Sequence, residues 1–177
     1  ISAGMSVPGE NALSLGIRIS YGPFDYYTGG DIAGNNELGE ADMNSIEAQV
    51  APAIGAVDVA TLNHHGNRDS QSTFFVRTVR PKVWIQQNWS SDHPGEEVLR
   101  RISSENLYPG KRYLVTNNIL EANRLVIGEK VDKLFDSTQG HIVVRVYEGG
   151  KEYQVFILDD RSSERRITKI IGPIASR

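Results

Sequence analysis

The sequence predicts an α/β (α+β) fold in which a mixed or antiparallel sheet is flanked by helices. Residues 12–21 alternate apolar and polar side chains with a period of two, which is typical of a half-buried strand. Two further apolar runs, 57–62 and 82–87, have strand length and end in polar turns. In 96–105, apolar residues recur at helical spacing. Strands and helices that alternate in this way favour a sheet with helices packed against it.

Length and composition indicate one folded domain. The 177 residues suit a single domain that spans 1–177. With 39% hydrophobic and 23% charged residues, the chain has the composition of a globular protein rather than a disordered one. The net charge of −3 gives no overall positive field that would gather a nucleic-acid backbone. Nucleic acid is therefore expected only as a locally bound substrate.

The composition also limits the kinds of site and segment. The chain has no cysteine, so any metal must be held by imidazole and carboxylate groups. The longest apolar runs have strand length, well short of the ~20 residues that a membrane-spanning helix needs. No membrane segment is therefore expected in this chain. Because it begins at Ile1 rather than methionine, we expect it to be part of a longer protein.

Turn residues and periodicity predict the order of the elements. The apolar face of the first strand consists of Leu13, Leu15, Ile17 and Ile19. Gly22 and Pro23 break this strand, and residues 24–27 resume as the second strand of a hairpin. The further elements are a helix over 40–54, a strand over 57–62, a helix from Asp69 or Ser70 to Val79, a strand over 82–87, a helix over 96–105 and a strand over 111–116.

The C-terminal third begins with its least regular part. Residues 119–135 mix loop with a weakly amphipathic helix. Residues 141–160 then contain two strands joined by a glycine-containing turn at 148–151, which predicts a hairpin. The tail, 161–177, adds an edge strand over 167–171 that basic residues flank.

Polar turns follow two of the predicted strands. Asp31 comes after a pair of glycines at the end of the hairpin, and His64 and His65 follow the strand over 57–62. Ligands gather at strand ends in α/β proteins, because the sheet holds the element while the loop exposes the side chain. Carboxylate and imidazole are ligands of divalent metals such as zinc. The turns therefore predict a metal site, with an ordinary turn or helix-capping role as the alternative for Asp31.

The histidines have different expected roles. If His64 and His65 continued the strand, their side chains would face opposite sides. One is therefore expected as the metal ligand and the other as a supporting or substrate-binding group, with a solvated turn as the alternative. His93 precedes a helix and is expected near a substrate phosphate or as a plain loop residue. His141 is expected to be structural, and the acidic pair at 159–160 to be a solvated strand end.

Four segments, taken in order, carry a resemblance to a known family. They read ENALSLGIRISYGPFDYYTGGD, DVATLNHHGN, RPKVWIQQNWSSDHPGEEVLRRI and GHIVVRVYEGGKEYQVFILDD. Together they resemble the C-terminal half of metallo-β-lactamase-fold hydrolases, and in particular the hydrolase domain of competence-type DNA-uptake channels. The resemblance covers residues 10–160, with 106–139 as a candidate insertion. It implies the C-terminal half of an α/β/β/α sandwich.

The resemblance implies roles at the matching positions. Asp31 matches the carboxylate that bridges two metal ions, and His64 matches the last histidine ligand, so these two are the expected metal-binding and catalytic residues. His65 and His93 are expected to bind substrate. In such enzymes two zinc or manganese ions activate a water that attacks a phosphodiester, ester or amide. The implied parent is a phosphodiesterase- or nuclease-like hydrolase acting on a small-molecule or nucleic-acid substrate.

The sequence also departs from the family pattern. TGGD has an extra glycine, and Asn67 stands where serine is usual. The HxHxDH-type motif that supplies the other ligands in the family lies upstream of the carboxylate, and nothing before Asp31 supplies it. We therefore expect half of a two-metal site at most, an inactive isolated chain and a missing N-terminal half as its partner. The alternative is a metal-free structural or interaction domain. Because half a sandwich exposes a sheet face, a homo-oligomer is also expected.

Overall fold

The computed structural model describes residues 9–34, 45–88, 90 and 92–177, which fold as a mixed α/β protein. The strands are β1 (Ile17–Tyr21), β2 (Phe24–Thr28), β3 (Val59–Thr61), β4 (Val83–Gln86), β5 (Tyr113–Thr116), β6 (His141–Val146), β7 (Glu152–Leu158) and β8 (Ile167–Ala175). The α-helices are α1 (Ile46–Ile54), α2 (Thr73–Val79), α3 (Glu96–Ile102), α4 (Glu121–Ile127) and α5 (Lys130–Leu134). The expected start of the first helix, at 40–44, lies outside the described residues.

A five-stranded mixed sheet has the order β1-β2-β3-β4-β5. β1 and β2 form the predicted antiparallel hairpin, in which Ile19 lies opposite Tyr26. The remaining strands, β2 to β5, run parallel to one another. Because parallel strands end at the same edge of a sheet, the carboxyl ends of β2, β3 and β4 lie side by side. The turns that carry Asp31 and the histidine pair leave the sheet at this edge.

Helices cover one face of the mixed sheet. Alternation along β3, β4 and β5 directs Ala60, Trp84 and Leu114 to this face. They pack against apolar side chains from every helix named above: Ala51, Ile54, Phe75, Val76, Val79, Val98, Leu99, Ile102, Ile127 and Val131. Trp84 is fully buried, and its indole N–H donates to the hydroxyl of Tyr108 at 2.6 Å. Burial of each large apolar side chain here contributes about 1.5–3 kcal/mol to folding.

A second, antiparallel sheet covers the opposite face. It has the order β6-β7-β8, and β6 and β7 are the predicted hairpin. Val59, Val83 and Val115 of the mixed sheet pack against the buried side of this second sheet, which consists of Tyr153, Val155, Ile157 and Ile171. The described residues thus form three layers: helices, mixed sheet and antiparallel sheet. The predicted mixed α/β class, with a mixed sheet flanked by helices, is confirmed.

Two helices begin at serine caps. Ser45 accepts a hydrogen bond from the amide of Ala48 at 3.1 Å, and α1 then continues past Pro52 to Ile54. The prediction that the next helix begins at Asp69 or Ser70 is wrong, because Ser72 caps α2. Gln71 adopts a left-handed backbone conformation with φ of 52°, so a right-handed helix cannot begin before it.

The segment 106–139 is part of the domain core. It supplies β5, the last parallel strand, and the helices α4 and α5. Ile127, Val131 and Phe135 from this segment join the helix-side core. None of the helices in the described part of the chain is long and apolar enough to cross a membrane.

The first strand forms as predicted, but the prediction that one of its faces is buried is wrong. Residues Glu10–Leu13 form a 3₁₀ turn, and all five residues of β1 are exposed. Leu15 and Ile19 expose 77% and 54% of their surface. The reason is that β1 is the edge strand. The apolar core between the two sheets contains side chains of β2 to β5 and none of β1, which meets the second sheet at the turn 148–150 through Tyr21.

Candidate functional site

The candidate site lies where β2 and β3 end. These strands are parallel, with Tyr27 beside Ala60, so the chain leaves both strands at neighbouring points. The amide of His64 donates to the carbonyl of Gly30 at 2.9 Å, which ties the histidine turn to the turn that carries Asp31. The carboxylate and the histidine pair therefore lie at the same sheet edge.

The glycine pair before Asp31 has a physical reason. Gly30 has φ of +56°, a conformation that most side chains disfavour. A side chain at Gly29 would overlap the hydrogen bond in which the hydroxyl of Tyr27 donates to the side-chain oxygen of Asn63. Gly29 thus allows the turn to approach the end of β3 closely, and Gly30 allows its left-handed backbone.

The histidine pair does not continue β3. Residues Asn63–Gly66 form a 3₁₀ turn, and His64 and His65 both have left-handed backbone angles, with φ of 47° and 56°. The argument that successive side chains face opposite sides of a strand therefore does not apply to them. Both rings lie near His93, with centroid separations of 6.3 Å from His64 and 5.6 Å from His65.

His65 is the histidine that contacts Asp31. Its Nε2 lies 3.3 Å from Oδ1 of Asp31. Its Nδ1 lies 2.7 Å from the carbonyl oxygen of Gln87, which follows β4. Because a carbonyl only accepts, Nδ1 carries the hydrogen and donates it. His65 thus links the ends of three parallel strands through one ring.

His64 contacts a different carboxylate. Its Nδ1 lies 3.1 Å and 3.2 Å from the two oxygens of Asp69. Its Nε2 lies 3.2 Å from the side-chain nitrogen of Asn11, which donates to it. Asp69 was expected only as a helix cap. Its position five residues after His64 in the same loop was the available signal for a carboxylate that orients the ring.

His93 is buried beside the pair. It is only 5% exposed, and its ring stacks on that of His65 at an interplanar angle of 19°. Burial lowers the pKa of the His93 imidazole, although the nearby Asp92 opposes this shift. Among the described residues, no hydrogen-bond partner faces its buried Nδ1. His93 therefore lies beside the histidine pair, and its expected contact with a substrate stays a prediction.

Other polar residues of interest lie elsewhere. His141 is exposed at the start of β6, outside the cluster. Asp159 accepts a hydrogen bond from the amide of Arg161, and Asp160 accepts one from the side chain of Gln139. Within the described ranges, no three histidine or acidic side chains are arranged to hold one metal ion. Asp31 and His65 are thus a close carboxylate–imidazole pair, and among the described residues no third such group is placed to hold a metal ion with them.

Comparison with models of known protein families finds no match to this chain, and neither does comparison with curated proteins. Any functional assignment therefore depends on the sequence motifs, the residues and their geometry.

Proposed function

We propose that this chain is the C-terminal portion of a metal-dependent hydrolase of the metallo-β-lactamase type. Its site would bind zinc or manganese through Asp31 and the histidine turn, and a missing N-terminal half of the same sandwich would supply further ligands. The observation that carries the proposal is the pair of Asp31 and His65, which leave parallel strands at one edge of the sheet with 3.3 Å between Oδ1 and Nε2.

The hydrogen-bonding pattern of His65 supports a cation between the two groups. Because Nδ1 donates to the carbonyl of Gln87, Nε2 of the uncharged ring is an acceptor. The carboxylate of Asp31 is also an acceptor, so the two atoms repel each other unless a proton or a cation lies between them. Two ligands of a tetrahedral zinc ion, each bonded at about 2.0–2.1 Å, are about 3.3–3.4 Å apart. The observed separation fits a shared zinc ion.

The surrounding residues have orienting roles in this proposal. A bound divalent cation supplies the Lewis acidity that makes water nucleophilic toward a phosphodiester, ester or amide at neutral pH. The carbonyl of Gln87 fixes the ring of His65, and Asp69 fixes the ring of His64. His93 covers one face of His65 and excludes water from it. The phosphodiester substrate class follows from the sequence resemblance.

The ligand role expected for His64 stays a prediction. Its Nδ1 is held by Asp69, so its Nε2 also has the lone pair that a metal needs, but this nitrogen faces Asn11 rather than Asp31. The geometry favours His65 as the ligand that shares a cation with Asp31. Substitution of each histidine in turn separates the two assignments.

The test is the zinc content of the full-length protein, measured by mass spectrometry after equilibrium dialysis. We expect Asp31→Ala and His65→Ala to lower zinc affinity at least tenfold, because each removes a ligand. Glu97→Gln, an exposed substitution in α3, is the control and should bind zinc like the wild type. Unchanged zinc binding in both alanine variants would contradict the proposal. A loss in Asp31→Ala and His64→Ala alone would assign the ligand role to His64.

A second candidate function is a metal-free interaction domain, which the exposed edge of the mixed sheet favours. Ile19 of β1 lines a groove of about 520 Å³ between the two sheets. Tyr26 and Ile85 line one wall of this groove, and Ile142 and Val144 line the other. Gln87, Asn117 and His141 also line the groove. An exposed edge strand with apolar side chains beside such a groove is typical of a surface that another chain covers. Self-association through this edge is the proposed form of the interaction.

A further inference from the structure

Glu47 is a buried carboxylate beneath the candidate site. It lies in the first turn of α1 and is fully buried. Its Oε1 accepts hydrogen bonds from the side-chain amide of Asn63 at 2.8 Å and from the backbone amide of Gln71 at 2.7 Å. Its Oε2 accepts one from the backbone amide of Ser72 at 2.6 Å. Burial raises the pKa of Glu47, and these three donors oppose the shift.

These hydrogen bonds join the two ends of one loop. Asn63 begins the segment 63–72, and Gln71 and Ser72 end it. The histidine pair and Asp69 all lie inside this segment. A single side chain therefore fixes the distance between the ends of the loop that presents both histidines.

The backbone of this loop adopts conformations that are unfavourable for its residues, so contacts with Glu47 are needed to hold it. We call these hydrogen bonds of Glu47 the clamp. His64, His65 and Gln71 have positive φ values of 47°, 56° and 52°, and none of them is glycine. Residues in left-handed conformations persist only when the surrounding structure imposes them. Asn63 precedes the two left-handed histidines and Gln71 follows them, and both donate hydrogen bonds to Glu47. The backbone is therefore held on each side of the histidines.

The clamp also reaches the turn that carries Asp31. Asn63 uses its other side-chain atom to accept from the hydroxyl of Tyr27, at 3.1 Å, on the strand that leads to Asp31. Beyond Asp31, the amide of Gly34 donates to the carbonyl of Asp69 at 2.7 Å. A side chain at Gly34 would meet both this carbonyl and Glu47. Glu47 therefore lies next to both the loop with the histidines and the turn that carries Asp31.

We propose that Glu47 is a positioning residue, which holds the loop 63–72 so that His65 faces Asp31. The consequence for metal affinity rests on the proposed function, whereas the consequence for the loop conformation does not. Glu47 itself forms no hydrogen bond with Asp31 or with His65; its partners are Asn63, Gln71 and Ser72. It acts through Asn63, Gln71 and Ser72.

The experiment compares Glu47→Gln with Glu97→Gln, which is the same substitution at an exposed position in the first turn of α3. In Glu47→Gln an amide group replaces one of the carboxylate oxygens and faces buried N–H donors. NMR spectra of the whole chain should show changed or broadened side-chain signals for His64 and His65. The signals of 83–86, in the core strand β4, should stay in place. Glu97→Gln should change neither set.

Zinc titration of the same variants separates the two proposals. We expect Glu47→Gln to weaken zinc binding about 10- to 100-fold, the usual effect of removing a residue that orients metal ligands. If the wild type binds no zinc while the histidine signals still shift, the proposed function fails and the positioning role stands. Histidine signals and zinc affinity that both match the wild type would overturn the positioning role.

Hydrogen exchange on the wild type tests the role of Glu47 without a variant, and so also applies if Glu47→Gln does not fold. The amides of Gln71 and Ser72 precede the hydrogen-bonded part of α2, so their protection depends on Glu47. We expect both to exchange about 100-fold more slowly than the unstructured chain, or more slowly still. Unprotected amides at both positions would overturn the clamp.

Discussion

At the scale of single residues, the two ring nitrogens of His65 face different groups. Nδ1 donates to a carbonyl, and Nε2 faces a carboxylate oxygen. This arrangement, in which a backbone carbonyl fixes the tautomer and directs the second nitrogen, is the usual one for a metal-binding histidine. The resemblance favours His64 as the ligand, whereas the contact between His65 and Asp31 depends on two left-handed residues in the turn, which the sequence does not predict.

Asp25 gives a prediction about acid stability. Burial raises its pKa, but hydrogen bonds from Arg18 and Ser20 outweigh burial, so the pKa lies below the ordinary value of 3.8. A carboxylate with a lowered pKa stabilises the folded state above the pKa of the unfolded chain, and this stability is lost as the pH falls through the folded pKa. We expect Asp25→Asn to lower the free energy of unfolding by about 1 kcal/mol at pH 7.

Urea denaturation at a series of pH values measures this effect. The difference between wild type and Asp25→Asn should shrink as the pH falls below 3.8. Asp132→Asn is the control, because Asp132 is 74% exposed and its pair with Arg124 should contribute little. A difference that stays constant down to acid pH would contradict the account of Asp25.

At the scale of elements, α2 ends at a residue that suits glycine. Arg80 follows the helix with φ of 40° and ψ of 54°, in the left-handed region, and its side chain is exposed. This conformation costs a non-glycine residue about 1–2 kcal/mol. Glycine avoids that cost but loses about 0.5–1 kcal/mol of chain entropy on folding. We therefore expect Arg80→Gly to raise the free energy of unfolding by about 0.5–1 kcal/mol.

Chemical denaturation tests this expectation against a substitution within the same helix. Arg77→Gly should lower the free energy of unfolding by about 1 kcal/mol, because Arg77 is exposed in the helical interior. Equal losses in both variants would show that the left-handed conformation of Arg80 carries no strain.

Element order was predictable because its signals are local. The turn at Gly22 and the period-two pattern before it predict the first hairpin, and Glu148–Gly150 predicts the second. Helix ends were less predictable, since the start of α2 depends on the left-handed Gln71 and its contact with Glu47. Glu47 itself gave no signal, because a glutamate in a helix is ordinarily solvent-exposed.

At the scale of the whole molecule, the exposure of β1 follows from what covers each part of the mixed sheet. The second sheet buries the face of β2 to β5, and Ile17 and Ile19 remain about half exposed. Alternation in the sequence predicts which residues share a face, but burial of that face depends on a partner layer. The proposed missing half or a second copy of the chain would supply such a layer.

The exposed edge gives a prediction about association. We expect the chain to self-associate and Ile19→Lys to weaken the association, because a charge on an edge strand opposes pairing with another chain. The fold should be unaffected, since Ile19 is 54% exposed. Leu125→Lys is the control, because Leu125 is 75% exposed on α4, away from this edge. Light scattering over a range of concentrations measures the effect. A wild type that stays monomeric throughout would contradict self-association.

The most direct test of the site is the position of zinc in crystals of the full-length protein, located by anomalous scattering at the zinc edge. We expect a zinc peak within about 2.0–2.2 Å of both a carboxylate oxygen of Asp31 and Nε2 of His65. Zinc bound only elsewhere, with Asp31 and His65 in direct contact as an ordinary ion pair, would contradict this expectation.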